Sequence, residues 1–98
     1  MAELVLSERA IADLERIADF LAESDAPAAE ATVALIVHAL RILVTHPRIG
    51  RASSEDFREL IISQGRTGFV ALYEHHAVHD RILVHAIRHQ REAGFEEI

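Results

Sequence analysis

The chain has 98 residues, half of them hydrophobic, no cysteine, and a formal net charge of −6. That is enough for one compact domain and too little for two, too apolar for intrinsic disorder, and without the thiols for a disulfide or thiolate metal site. The acidic balance argues against strong direct binding to DNA, which depends on neutralising phosphates, although the ten basic residues are all arginine and Arg58, Arg66, Arg81, Arg88 and Arg91 fall in the second half.

The first element is a short apolar strand at 2–6, carried by Leu4, Val5 and Leu6. Ser7 follows as a helix N-cap and Glu8 sits where the helix dipole favours negative charge. Ile11, Leu14, Ile17, Ala18 and Leu21 recur at three- and four-residue spacing, with Asp13, Glu15, Arg16, Asp19 and Glu23 filling the rest, so the spacing predicts an amphipathic helix. Ser24-Asp25-Ala26-Pro27 breaks it, and Pro27 suits the first turn of a second helix. That helix runs from about Pro27 to Thr45 and stops at His46-Pro47, because the residue before proline avoids the α region. Val33, Leu35, Ile36, Val37, Leu40, Ile42, Leu43 and Val44 cover most of its circumference, leaving Ala34, His38, Arg41 and Thr45 as a thin polar line. A helix so apolar is expected to be buried on two sides, in an antiparallel hairpin that places it partly between the first helix and a sheet. No apolar run reads as long enough to span a bilayer, and no charged-then-apolar leader opens the chain; the expectation is a soluble, cytoplasmic protein without membrane contact.

Residues 48–56 read as the only loop-like stretch, and after it come three strands at Phe57–Ser63, Phe69–His76 and Asp80–Glu92. Gln64–Gly68, with Gly65 and Gly68 as turn glycines, and Ala77–Asp80 are the turns between them. Leu60, Ile62, Val70, Leu72, Ile82 and Val84 are expected to face the helices, with Ala86 and Arg88 continuing the last set. The opposite face mixes aromatic, histidine and carboxylate side chains with aliphatics, so either a partner or the C-terminal tail covers it. His75, His76 and His79, beside Glu74 and Asp80, have the donor types for Zn²⁺ or Ni²⁺, but neighbouring strand residues point to opposite faces; a polar hairpin tip is preferred, and no metal or cofactor is expected. His38 reads as a satisfied histidine and Tyr73 as a core residue with its hydroxyl bonded. Ser7, Ser24 and Ser53 lack the histidine and acid of a hydrolase triad.

Taken in order, the helical hairpin, Phe57–Ile62, Val70–Tyr73 and Ile82–Glu92 resemble the RelE/ParE toxins of type II toxin–antitoxin modules, as do Asp13–Ile17, His46–Arg51 and the closing Arg-His-Gln-Arg-Glu-Ala-Gly-Phe. The resemblance covers nearly the whole chain. It implies an α+β fold of order β-α-α-β-β-β, with a helical hairpin packed on one face of a small, largely antiparallel sheet, in a single domain over 1–98. It also implies a role in plasmid stabilisation and a cognate antitoxin, ParD-like or RelB-like, wrapping the toxin as a heterotetramer or around a toxin homodimer. The endonuclease branch uses basic residues on the sheet and a late catalytic aromatic or histidine. Arg58 and Arg91 match two basic positions, whereas Val70 replaces a strand arginine and Phe95 stands where an aromatic hydroxyl is needed. The chain therefore looks closer to the ParE branch, which implies DNA gyrase as the leading target and binding rather than chemistry. The alternative is a ribosome-dependent mRNA endonuclease using Arg58, Arg66, Tyr73, Arg88, His89 and Arg91; a third reading is a non-toxic relative that keeps only its antitoxin or self-association surfaces. Antitoxin contacts are expected at Leu14, Ile17, Leu21, Leu35, Ile42, Arg58, Tyr73 and Arg88, since a hairpin groove and an open sheet edge accept a helix or a strand.

Overall fold

Ser7 and Asp25 open the two helices. The Ser7 hydroxyl accepts from the Ala10 amide at 3.0 Å and the Asp25 carboxylate from the Ala28 amide at 3.1 Å, each satisfying a first-turn donor. Pro27 sits in the first turn of the second helix, and that helix ends at His46, one residue before Pro47. The computed structural model describes residues 2–64 and 67–90, and only the backbone of Ser63, Gln64 and Thr67. In chain order the elements are β1 (Glu3–Leu6), α1 (Glu8–Ala22), α2 (Ala26–Thr45), β2 (Arg51–Ala52), β3 (Arg58–Gln64), β4 (Thr67–His76) and β5 (Arg81–His89).

The strands form one sheet of order β1-β5-β4-β3-β2, with β1 parallel to β5 and the other pairs antiparallel. This is the expected α+β arrangement, a helical hairpin on one sheet face. Two details differ. The stretch read wholly as loop contributes the two-residue edge strand β2. In addition α2 is not layered between α1 and the sheet: α1 packs over β5 and β1 while α2 packs over β1 and β3, side by side. By length and composition α2 does reach the size of a membrane span, contrary to the sequence reading; in this fold its Ile36, Leu40 and Leu43 are inside the core.

Register decides which side chains meet the helices. Gln64 pairs with Thr67, so Ile62 lies opposite Phe69, Leu60 opposite Ala71 and Arg58 opposite Tyr73. Cross-strand partners share a face, so the core side of β4 is Phe69, Ala71 and Tyr73, not Val70 and Leu72 as expected. With Gln64 opposite Thr67 the register is one residue away from a pairing that would put Leu60 and Ile62 beside Val70 and Leu72, and a one-residue slip inverts a whole strand. On β5 the alternation itself breaks. Leu72 pairs with Ala86 but Tyr73 pairs with Val84, leaving His85 as the extra residue of a β-bulge. Ile82 and Val84 therefore face the helices, and after the bulge it is Ile87, not Ala86 or Arg88, that returns to the core.

The bulge lies where β1 gives out. β1 pairs with β5 only as far as Leu6 opposite Val84. Beyond that point the start of α1 takes over the exposed edge of β5: the Ser7 amide donates to Val84 O at 2.9 Å, the Ser7 hydroxyl donates to His85 O at 3.0 Å, and Asp13 accepts from the Ile87 amide at 2.9 Å. Asp13, which the helical pattern places on the polar side, is thus 6% exposed and structural. Its other oxygen lies 3.6 Å from Arg16. Asp13→Ala should cost about 1–3 kcal/mol, the usual penalty for a buried donor left without an acceptor. Ser7→Ala should cost about 1–2 kcal/mol, through the lost cap. Urea denaturation of the purified variants measures both, and losses under a few tenths of a kcal/mol would show that water replaces these contacts.

Candidate functional site

At the β2 end of the sheet, three groups lock together. Tyr73 is fully buried, and its hydroxyl accepts from the Gly50 amide at 2.9 Å. Arg58, which faces Tyr73 across β3 and β4, donates from Nη1 to Gly50 O at 2.7 Å and to Arg48 O at 3.3 Å. A Cβ on Gly50 would lie 2.7 Å from the Tyr73 ring and hydroxyl and 2.8 Å from Glu59 O, so the loop approaches this closely only because residue 50 has no side chain. Arg51 and Glu59 close the same corner with an ion pair at 3.0 Å. Burial pushes the Tyr73 phenol above its ordinary 10.0, and the Gly50 bond and the charges of Arg58 and Arg48 only partly offset that. The hydroxyl therefore stays protonated near neutrality. A pocket of about 190 Å³ opens beside this corner, lined by Arg48, Phe57, Arg58 and His75 among others.

The sheet face away from the helices carries a second arrangement. Glu74 on β4 is held from two sides, by His85 Nε2 at 2.6 Å and His76 Nε2 at 3.1 Å, and the Phe57 ring meets His85 edge-on at 5.1 Å. His85 reaches Glu74 because the bulge turns it outward. Burial pushes the Glu74 carboxyl up, but the hydrogen bonds and charges of the two histidines outweigh this and hold it below its ordinary 4.5. Around this pair Leu72 and Ala86 are buried, Val70 and Leu83 half-buried, and Ile61 is 40% exposed. His75 faces the other way and pairs with Asp80 at 3.2 Å; Asp80 closes the β4–β5 turn with a φ of 47°, a conformation that aspartate tolerates. Val78 and His79 are exposed at the hairpin tip, and among the described residues no group of three His, Cys, Asp or Glu side chains is placed to hold a metal.

The candidate nuclease residues do not converge. Tyr73 is interior, and Arg58 is anchored by Nη1 to two backbone carbonyls. Arg88 pairs with Val70 on the outer face, whereas His89 lies on the helix side, edge-on to Phe69 at 5.4 Å. Arg66 and Arg91 lie outside the described residues, as do Phe95 and the tail expected to cover the outer face. Among the residues expected to meet an antitoxin, Ile17 is 5% exposed and Tyr73 fully buried, so neither presents surface. Leu14, Leu21 and Leu35 are half-buried against the core, and Ile42 is 41% exposed. Sequence reasoning passed over the exposed Phe20 and the Glu74–His85 pair, and it placed in the apolar stripe of α1 an Ile11 that is 48% exposed. Alternating Glu74 and His76 on one strand was the available signal; the bulge that delivers His85 left none.

The fold and the match of nearly the whole chain to known sequences place it among the small toxins of type II toxin–antitoxin systems. More narrowly, the chain belongs to the ParE toxin family: the family model described as "ParE toxin of type II toxin-antitoxin system, parDE" matches residues 4–94. It is 32% identical over 92 residues to Toxin RelE3 of Caulobacter vibrioides, covering 94% of this chain and 98% of that one. A solved structure titled "Chromosomal ParDE TA system from P. aeruginosa" superposes with a TM-score of 0.73 at 26% identity, covering 90% of this chain and 95% of that chain.

Tyr73→Phe should cost about 1–2 kcal/mol by leaving the Gly50 amide unpaired. Gly50→Ala should cost more, because neither the tyrosine nor the β3 backbone can retreat inside a packed core; equal losses in thermal unfolding would count against this account of the corner. A carboxyl held below its unfolded value adds stability that is fully present above about pH 4.5 and is lost as pH falls through the folded value. Glu74→Gln should therefore flatten the acid limb of the stability profile below about pH 4.5. An unchanged slope there would remove the two histidines as the cause.

Proposed function

We propose that this ParE-family chain is a cytoplasmic growth-arresting toxin that acts by binding a macromolecular target, with DNA gyrase as the leading candidate, and that a cognate ParD-like antitoxin neutralises it. The observation that carries this reading is the placement of the chemistry-bearing side chains. A nuclease must aim a proton donor, a proton acceptor and phosphate-binding cations at one scissile phosphate. Here Tyr73 is inside, and Arg88 and His89 point to opposite faces of β5. What the surface offers instead is area suited to capture. Ile11, Phe20 and Ile42 are exposed on the helical hairpin, and Ile61 lies on β3 beyond the two residues that β2 pairs with, where the outer edge has no strand among the described residues. Both an amphipathic helix and an added strand have somewhere to dock, which supports an antitoxin complex such as a heterotetramer.

The likeness to Toxin RelE3 keeps a second reading, mRNA cleavage, in contention. Expression without the neighbouring small gene should arrest growth, and co-expression should restore it; normal growth without that gene would favour a relative that has lost toxicity. Purified toxin should inhibit gyrase supercoiling at concentrations near its antitoxin affinity. Primer extension on mRNA from arrested cells should show no new ends, and ends between codon positions that vanish in His89→Ala would replace target binding by cleavage.

A further inference from the structure

Arg48 and Arg58 stand out in a chain of net charge −6. Neither guanidinium forms an ion pair with a carboxylate among the described residues, although the other described sheet-edge arginines, Arg51 and Arg81, pair with Glu59 and Glu3. Both line the pocket beside Gly50, together with the Phe57 ring, His75 and the exposed Glu55 and Asp56. Arg58 commits Nη1 to two backbone carbonyls, which fixes its position and leaves its remaining donors directed elsewhere. The pocket's 190 Å³ is below the roughly 300–1,000 Å³ of a small-molecule site and matches one inserted side chain.

We propose that this pocket receives a single carboxylate side chain, glutamate or aspartate, from a partner protein, with Arg48 as the mobile clamp and Arg58 as the fixed charge behind it. The proposal rests on the partner-binding function above and names the chemistry that one part of the partner must bring. An arginine pair with free donors suits a carboxylate, through short charge-assisted bonds. Phe57, Ala52 and Ala77 give apolar walls for the methylene stem of such a residue. Glu55 and Asp56 line the same pocket and weaken its pull on any anion, most of all on a nucleic-acid backbone with its dense run of phosphates. Two guanidinia against two carboxylates therefore favour a ligand with a single negative charge over a polyanion.

The test uses the full-length isotope-labelled protein and four probes: the capped peptide acetyl-Ala-Glu-Ala-amide, its glutamine counterpart, inorganic phosphate, and a short single-stranded RNA. The glutamate peptide should shift the Gly50 amide and the Arg48 and Arg58 side-chain resonances saturably. The glutamine peptide should bind about tenfold more weakly, as expected on losing a charged hydrogen bond. Arg48→Gln, which removes an exposed side chain and should leave the rest of the spectrum in place, should weaken the glutamate peptide to the same degree. Glu55→Gln should tighten it. No saturable shift, shifts unaffected by Arg48→Gln, phosphate competing as well as the peptide, or tighter binding of RNA would each overturn the proposal. None of these readouts involves the antitoxin or gyrase, so a failed pocket is distinguishable from failed growth arrest.

Discussion

On the side away from β4, the backbone of β5 beyond Val84 has no strand beside it among the described residues, and the structure depends on how that edge is satisfied. Buried amide and carbonyl groups need partners almost without exception. β1 serves β5 for four residues and then turns into α1. The turn itself, through Ser7, and the second turn of α1, through Asp13, supply the missing partners from side chains. One serine thereby ends a strand, caps a helix and completes a sheet edge. The position of α1 over the sheet is set by polar contacts of fixed length as well as by the aliphatic packing of Ile17 against the core.

The β-bulge at His85 lies at the same edge and has effects on both sides of the sheet. On the inner side it brings Ile87 back to the core after Val84, so the helices meet a continuous apolar surface. On the outer side it turns His85 to Glu74 and against Phe57. A polar cluster is thus built in among the aliphatic side chains of this face, where a partner would have to meet its charge as well as its shape. Tyr73, next to the bulge on β4, works as a strut: its hydroxyl reaches through the core to hold the Gly50 loop, and Arg58 ties the same loop from its carbonyls. Tyr73 is thus the core residue with a bonded hydroxyl that its sequence context suggested, and Arg58 joins it in holding the loop.

The periodicity of α1, the near-continuous apolarity of α2, the Ser7 cap and the Pro27 helix start were legible because helix signals are local: spacing, a cap and a proline lie within a few positions of the backbone they act on. The three late strands were legible for the same reason, from β-branched and aromatic runs between turn signals, and the family pattern followed from their order. The inner face of β4 was misread because its register is one residue away from a pairing that would put Leu60 and Ile62 beside Val70 and Leu72. The alternation of β5 was misread because a bulge adds a residue without any mark in the composition. Of the candidate site, the sequence named Arg58, Tyr73, Arg88 and His89 but could not say that Tyr73 is buried or that Arg88 and His89 lie on opposite faces of β5.

Sequence alone determined which segments form helix and strand, and that a helical hairpin covers one face of a sheet, because those outcomes rest on propensity, patterning and caps read within each segment. Only the tertiary structure decided that Asp13 is buried, that Gly50 must be bare, that β1 runs parallel to β5, and that Glu74 meets His85. Each of these joins residues far apart in the chain, and no local pattern encodes a contact whose partner is set by register and by where a neighbouring strand happens to end.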